Sequence, residues 1–157
     1  GPRLPRAASR SRASDRPTLV MLAHPHCTCT GASLGELAEA IARAGTPPKT
    51  YILFMTPNGF ADGWEQTALW RTASALPGVT VVRDDEGHVA QLFGAATSGQ
   101  TLLYDPHGTL LFSGGLTGAR AHAGDNPGRQ ALVNLLNRES APSRTSVFGC
   151  PLFNPGT

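Results

Sequence analysis

Residues 17–24 read Pro-Thr-Leu-Val-Met-Leu-Ala-His, an uninterrupted apolar run between Pro17 and Pro25. Side chains on a strand alternate between two faces, so a run with no polar alternation must be covered on both sides. The segment is expected as a central strand, and the chain must supply helices for both of its faces. A second run of the same kind, Thr-Tyr-Ile-Leu-Phe-Met-Thr, occupies residues 50–56. Between the two, Leu34, Leu37, Ala38 and Ile41 recur at helical spacing within residues 31–44. Ser33 and Glu36 suit a capping box there, and Gly45 with Pro47 and Pro48 ends the helix.

Further along, Asp62 and Glu65 are spaced to open a helix reaching about Leu76, with Trp64, Leu69 and Trp70 on it, and Pro77-Gly78 stops it. Val79 to Val82 reads as a short strand, and Asp84 to Phe93 as a short helix closed by Gly94. Gln100 to Tyr104 and Thr109 to Ser113 flank Asp105-Pro106-His107-Gly108, a hairpin signal. Residues 114–126 form a glycine-rich loop. Asn126-Pro127 suits the cap and first turn of a last helix over about 127–138, with Leu132, Leu135 and Leu136 inward. The order β-α-β-α-β-(α)-β-β-α makes the first three strands parallel neighbours through right-handed crossovers, with the hairpin as an antiparallel edge. The fold class is α/β, a mixed sheet with helices on both faces.

With 157 residues, 40% hydrophobic and 15% charged, the chain suits one domain with an ordinary core. Its net charge of +2 is too small to argue for nucleic acid, and much of it is local. Arg3, Arg6, Arg10, Arg12 and Arg16 all precede the first strand. Residues 1–16 read as a flexible linker or, at Gly1-Pro2, as the scar of a protease used in expression. No run reaches the roughly 18 apolar residues of a membrane helix, and no signal peptide is present. The expectation is nevertheless an exported, periplasmic or otherwise extracytoplasmic protein whose natural N-terminal anchor preceded this linker, rather than a cytoplasmic one. The tail, 139–157, has no clear period, but Val147, Phe148, Leu152 and Phe153 are apolar enough to pack back on the domain.

Chemistry concentrates in His24-Pro25-His26-Cys27-Thr28-Cys29-Thr30. Two of the chain's three cysteines lie in this strand-to-helix turn, where a helix N-terminus favours a thiolate. The turn falls at the carboxyl edge of the sheet, where open α/β sheets bind ligands. The second hairpin strand returns to that edge, so the loop after it brings Arg120, His122 and Asp125 within reach. In the redox reading Cys27 is the attacking thiolate and Cys29 resolves the mixed disulfide; a Cys-x-Cys disulfide closes a very small, strained ring and is therefore oxidising. Alternatively Cys150 resolves the attack, if the tail folds over the site. Two thiolates with Cys150, His24, His26 or His122 also suit soft Cu(I), or Zn(II) with four ligands. A structural disulfide, or simple burial of small thiols, is the plain alternative. His88 and His107 are expected in solvent. No nucleotide-binding or nucleophile-elbow motif is present.

The cysteine turn after the first strand, Phe93-Gly94 before the hairpin, and Leu102-Leu103-Tyr104-Asp105-Pro106-His107-Gly108 resemble the thioredoxin-like superfamily over about residues 17–138. Within it, the chain resembles the exported, membrane-tethered thiol-disulfide oxidoreductases and the copper-chaperone-like domains. The resemblance implies a thioredoxin-like domain that exchanges with protein thiols or disulfides, with Cys27 as the attacking thiol. By their position near the turn, His26, Thr30, Arg120, His122 and Cys150 would support it; no cofactor is expected beyond the alternative Cu(I) or Zn, and the chain is expected as a monomer. The family's second cysteine falls on Thr30, which puts Cys29 out of register. The family's cis-proline falls near Gly99, within Thr97-Ser98-Gly99-Gln100.

Overall fold

The computed structural model describes residues 16–27, 29–45, 47–56, 67–117, 127–137, 143–147 and 152. Five strands are described: β1 (Thr18–Ala23), β2 (Lys49–Thr56), β3 (Val79–Asp85), β4 (Gln100–Tyr104) and β5 (Leu110–Gly114). Four helices accompany them: α1 (Cys29–Ala42), α2 (Ala68–Ser74), α3 (His88–Phe93) and α4 (Pro127–Leu136). The sheet order is β3-β2-β1-β4-β5. β1 runs parallel to β2, and β2 to β3, while β4 pairs antiparallel with both β1 and β5. This is the α/β mixed sheet that the sequence implies. No described helix is long and apolar enough to cross a membrane.

The double coverage demanded by β1 is met unequally. Leu19, Met21 and Ala23 face a large core with Leu34, Leu37 and Ala40 of α1, Ala73 of α2, and Ala131, Leu132 and Leu136 of α4. Trp70 of α2 stacks on Phe54 there, with ring centroids 5.4 Å apart. Val20 and Leu22 face a smaller core over which, among the described residues, the six-residue α3 is the one helix. The tail completes this second face: Leu152 is fully buried among Val20, Leu22, Leu53, Met55 and Leu102, and its N–H donates to the Ala96 carbonyl at 2.9 Å.

An earlier stretch of the tail lies along β5. Ser113 N–H donates to Ser143 O at 2.8 Å and Thr145 N–H donates to Ser113 O at 3.2 Å. Backbone approach is closest around Gly114, Gly115 and Gly128. A Cβ on Gly128 would overlap the Gly115 carbonyl, and one on Gly115 would lie 2.6 Å from Ser146 O.

Three boundaries differ from expectation. α1 begins at Cys29 instead of residue 31, so Ser33 and Glu36 are not a capping box. Glu36 lies inside the helix, where its carboxylate meets the Arg129 guanidinium of α4 at 2.8 Å with both side chains buried. β3 continues to Asp85, and the short helix starts only at His88. The reason is Asp84, whose carboxylate accepts from the Val89 and Ala90 N–H groups and so caps α3 from within the strand. α2 starts at Ala68, and Asp62, Trp64 and Glu65 lie outside the described residues.

Two substitutions test this packing. Leu152→Ala lowers stability by about 2–5 kcal/mol, the range for emptying a filled core position; chemical denaturation reads it. Arg129→Met alone lowers it by about 3–5 kcal/mol because Glu36 keeps a buried charge, and pairing it with Glu36→Leu recovers most of the loss.

Candidate functional site

The cysteine turn sits between the end of β1 and the first residue of α1. Cys27 N–H donates to His24 O at 3.2 Å, and Thr30 N–H donates to Cys27 O at 3.0 Å, so the chain reverses tightly around Cys27. Both cysteines are buried, at 2% and 3% exposure. Cys27 takes part in a disulfide, whereas Cys29 is a free thiol. The disulfide therefore does not join the two cysteines of the turn. The third cysteine of the chain, Cys150, lies outside the described residues, as do Thr28, Arg120, His122 and Asp125.

The turn is fixed to the loop before β4 by a closed ring. His24 N–H donates to Ser98 Oγ at 2.8 Å, and Thr30 Oγ1 donates to the His24 carbonyl at 3.0 Å. Thr30 Oγ1 and Ser98 Oγ are 3.1 Å apart. A hydroxyl has one proton to give. Thr30 has given its proton to His24, so Ser98 is the donor in this last bond. The circuit His24 N–H, Ser98, Thr30, His24 C=O is complete, and all three residues are buried. Gly99, next along, adopts a left-handed φ of +96° and donates its N–H to Leu22 O at 2.8 Å. From the other side, Thr67 at the start of α2 donates its hydroxyl to Pro25 O at 2.8 Å.

His24 faces its neighbour His26, with ring centroids 6.1 Å apart and nearly edge-on. The His26 N–H donates to His24 Nδ1 at 3.1 Å. Nδ1 is thus an acceptor, and the neutral ring carries its proton on Nε2. Burial, and to a lesser degree His26, holds the His24 pKa below its usual value.

The sequence-derived residues His24, His26, Cys27, Cys29 and Thr30 therefore do come together, within one turn. No three His, Cys, Asp or Glu side chains among the described residues form a metal-binding group. His88 and His107 are exposed. Two participants were not anticipated, Ser98 and Thr67. Ser98 was legible only as a small polar residue beside Gly99, in the loop that topology brings to the same sheet edge.

No protein-family model matches the chain, and no curated protein does. Solved structures do. An uncharacterized conserved protein from Geobacillus kaustophilus superposes with a TM-score of 0.65 at 18% identity, over 91% of this chain and 79% of that one. A hypothetical protein from Sinorhizobium meliloti gives 0.62 at 20% identity, over 96% and 85%. The exposed lipoprotein thioredoxin of Streptococcus pneumoniae gives 0.55 at 15% identity, over 80% and 86%. The fold is thioredoxin-like.

The acceptor role of His24 Nδ1 has a pH consequence. Its folded pKa lies below that of the unfolded chain, so between the two values only the unfolded state takes up the proton. Stability from this residue is full above about pH 6.5 and falls as the pH drops below it. Wild-type Tm is expected to decline between pH 7 and 5, and His24→Asn, whose side-chain oxygen can accept the same N–H, to flatten that decline.

Proposed function

We propose that the chain is a thiol-disulfide exchange protein whose reacting sulfur is Cys27. The observation that carries this reading is the disulfide at Cys27, at the carboxyl end of β1 and the start of a 14-residue helix, with Cys29 left as a thiol. In the reduced form the N-terminus of α1 favours the Cys27 thiolate. The partner sulfur in this reading is Cys150. With Cys29 reduced it is the remaining cysteine of the chain. The tail is held on both sides of it, at Ser143–Val147 along β5 and Gly115 and at Leu152 against Ala96.

A client thiolate attacks Cys27 Sγ. The Cys27–Cys150 bond breaks, and Cys150 leaves as a thiolate that takes up a proton. A second client thiol then attacks the mixed disulfide, releasing Cys27 as a thiolate. The client is oxidised by two electrons and the protein is reduced by two. Because Cys27 is 2% exposed, the first step requires local opening of the site.

An extracytoplasmic setting accords with a standing disulfide and with the pneumococcal neighbour, an exposed lipoprotein thioredoxin. The partners in this reading are protein thiols or disulfides, and the protein acts as a monomer on a natural N-terminal anchor. The soft-metal alternative calls on Cys27 as a thiolate, so it applies only to the reduced protein.

The test is oxidation of a reduced, unfolded dithiol client, followed by thiol alkylation and mass spectrometry. The wild type oxidises the client in a single turnover, Cys27→Ser and Cys150→Ser do not, and Cys29→Ser does. An active Cys150→Ser variant with an inactive Cys29→Ser variant would return the couple to Cys27 and Cys29.

A further inference from the structure

We propose that Ser98 is a positioning residue that decides which disulfide the cysteines form. This rests on Cys27 being the exchanging sulfur. The ring through His24, Ser98 and Thr30 brackets both cysteines, because residues 24 and 30 are its members and 27 and 29 lie between them. It holds the turn in the shape where Cys27 pairs outside the turn and Cys29 remains a thiol.

The alternative, a Cys27–Cys29 bond, closes a very small ring with little torsional freedom. Cys29 is the first residue of α1, and Cys27 is fixed on both sides by its own backbone bonds, to His24 O and from Thr30 N. Turning the two Cβ atoms together has to disturb one of those bonds. That displaces His24 or Thr30, and each belongs to the ring. The Ser98 hydroxyl holds the ring shut from a different part of the chain, 74 residues from His24 and 68 from Thr30.

The step held back is an internal exchange. The Cys29 thiolate attacks Cys27 Sγ, the bond from Cys27 to its present partner breaks, and that partner leaves as a thiolate and takes the proton that Cys29 gave up. One disulfide is lost and one is formed, so no external oxidant or reductant takes part.

Oxidised protein is denatured in acid with N-ethylmaleimide, digested, and mapped by mass spectrometry. One peptide carries both cysteines of the turn, so its mass reports directly whether Cys29 was alkylated. The wild type is expected to carry the label on Cys29. Ser98→Ala and Thr30→Val each remove two of the ring's three bonds, and each is expected to raise the ratio of Cys27–Cys29 to outside pairing by roughly thirtyfold, the effect of about two net hydrogen bonds. Ser98→Thr and Thr30→Ser restore the hydroxyls and are expected to restore the wild-type map. Circular dichroism accompanies each map, and the two disruptive variants lie in different parts of the chain, one losing the bond from His24 N–H and the other the bond to His24 O, so loss of folding in one leaves the other to decide. Wild-type maps in folded Ser98→Ala and Thr30→Val overturn the proposal. The map is read without a client, so a wild type that maps as expected but leaves client thiols reduced overturns the exchange reading and spares the role of Ser98.

Discussion

Three polar groups at the carboxyl edge of the sheet could not be buried singly. The His24 backbone, the Thr30 hydroxyl and the Ser98 hydroxyl are each shut away from water, and an unsatisfied group of this kind costs about 1–3 kcal/mol. Together they satisfy one another in a circuit where every donor has an acceptor. Such a circuit is cooperative, since each bond polarises the next. It is also unforgiving, since removing one member orphans two others. The circuit encloses the two cysteines between its members at residues 24 and 30.

The ring holds its place because β1 does. That strand is central, paired with β2 on one side and β4 on the other, and buried along its whole length. Its register with β4 sets Leu22 opposite Gln100 and so brings the Ser98-Gly99 loop to the level of His24. The face of β1 away from α1 is short of helix, and the C-terminal tail supplies the missing cover through Leu152. Leu152 thus does the work of a helix side chain on this face. The backbone contacts at Gly115 and Gly128 show how closely the tail and α4 are fitted to that end of the sheet. The docking of Leu152 is part of the second core.

The sequence made the framework readable because its signals were local. An apolar run between two prolines specifies a two-sided strand, and Asp105-Pro106-His107-Gly108 specifies a hairpin. Asp105 Oδ1 accepts the N–H groups of His107 and Thr109, and Gly108 takes the left-handed φ of +87°. Local rules erred where a side chain served a distant element. Ser33 and Glu36 match a capping box in spacing, yet Glu36 is taken by Arg129, 93 positions away, and the helix starts earlier. Asp84 marks the start of a helix in sequence terms, and it does cap that helix, but from inside a strand. The cysteine turn was legible as a candidate site from residue types alone. The role of Ser98 was not, because nothing in a Thr-Ser-Gly stretch reveals that its hydroxyl closes a circuit begun 74 residues earlier.

Gly99 explains why this chain departs from the family pattern at the position where the resemblance places a proline. Its φ of +96° is closed to proline, whose ring holds φ near −65°. Its N–H is donated to Leu22 O, and proline has none to donate. A Cβ there would stand 3.0 Å from Ser33 Oγ, so even alanine would crowd α1. Restoring the proline would thus break the bond that ties the loop to β1 and shift Ser98 with it. The loop holds its shape by a ring of hydrogen bonds and the Gly99 N–H bond to β1 instead of by a fixed dihedral. The ring also explains Thr30. Where the family pattern has a second cysteine, this chain has the hydroxyl that the ring requires, and a thiol, with its longer and weaker hydrogen bonds, would not close the circuit at these distances. Gly99 and Thr30 thus serve one structural solution, a loop tied to β1 and a hydroxyl that closes the ring.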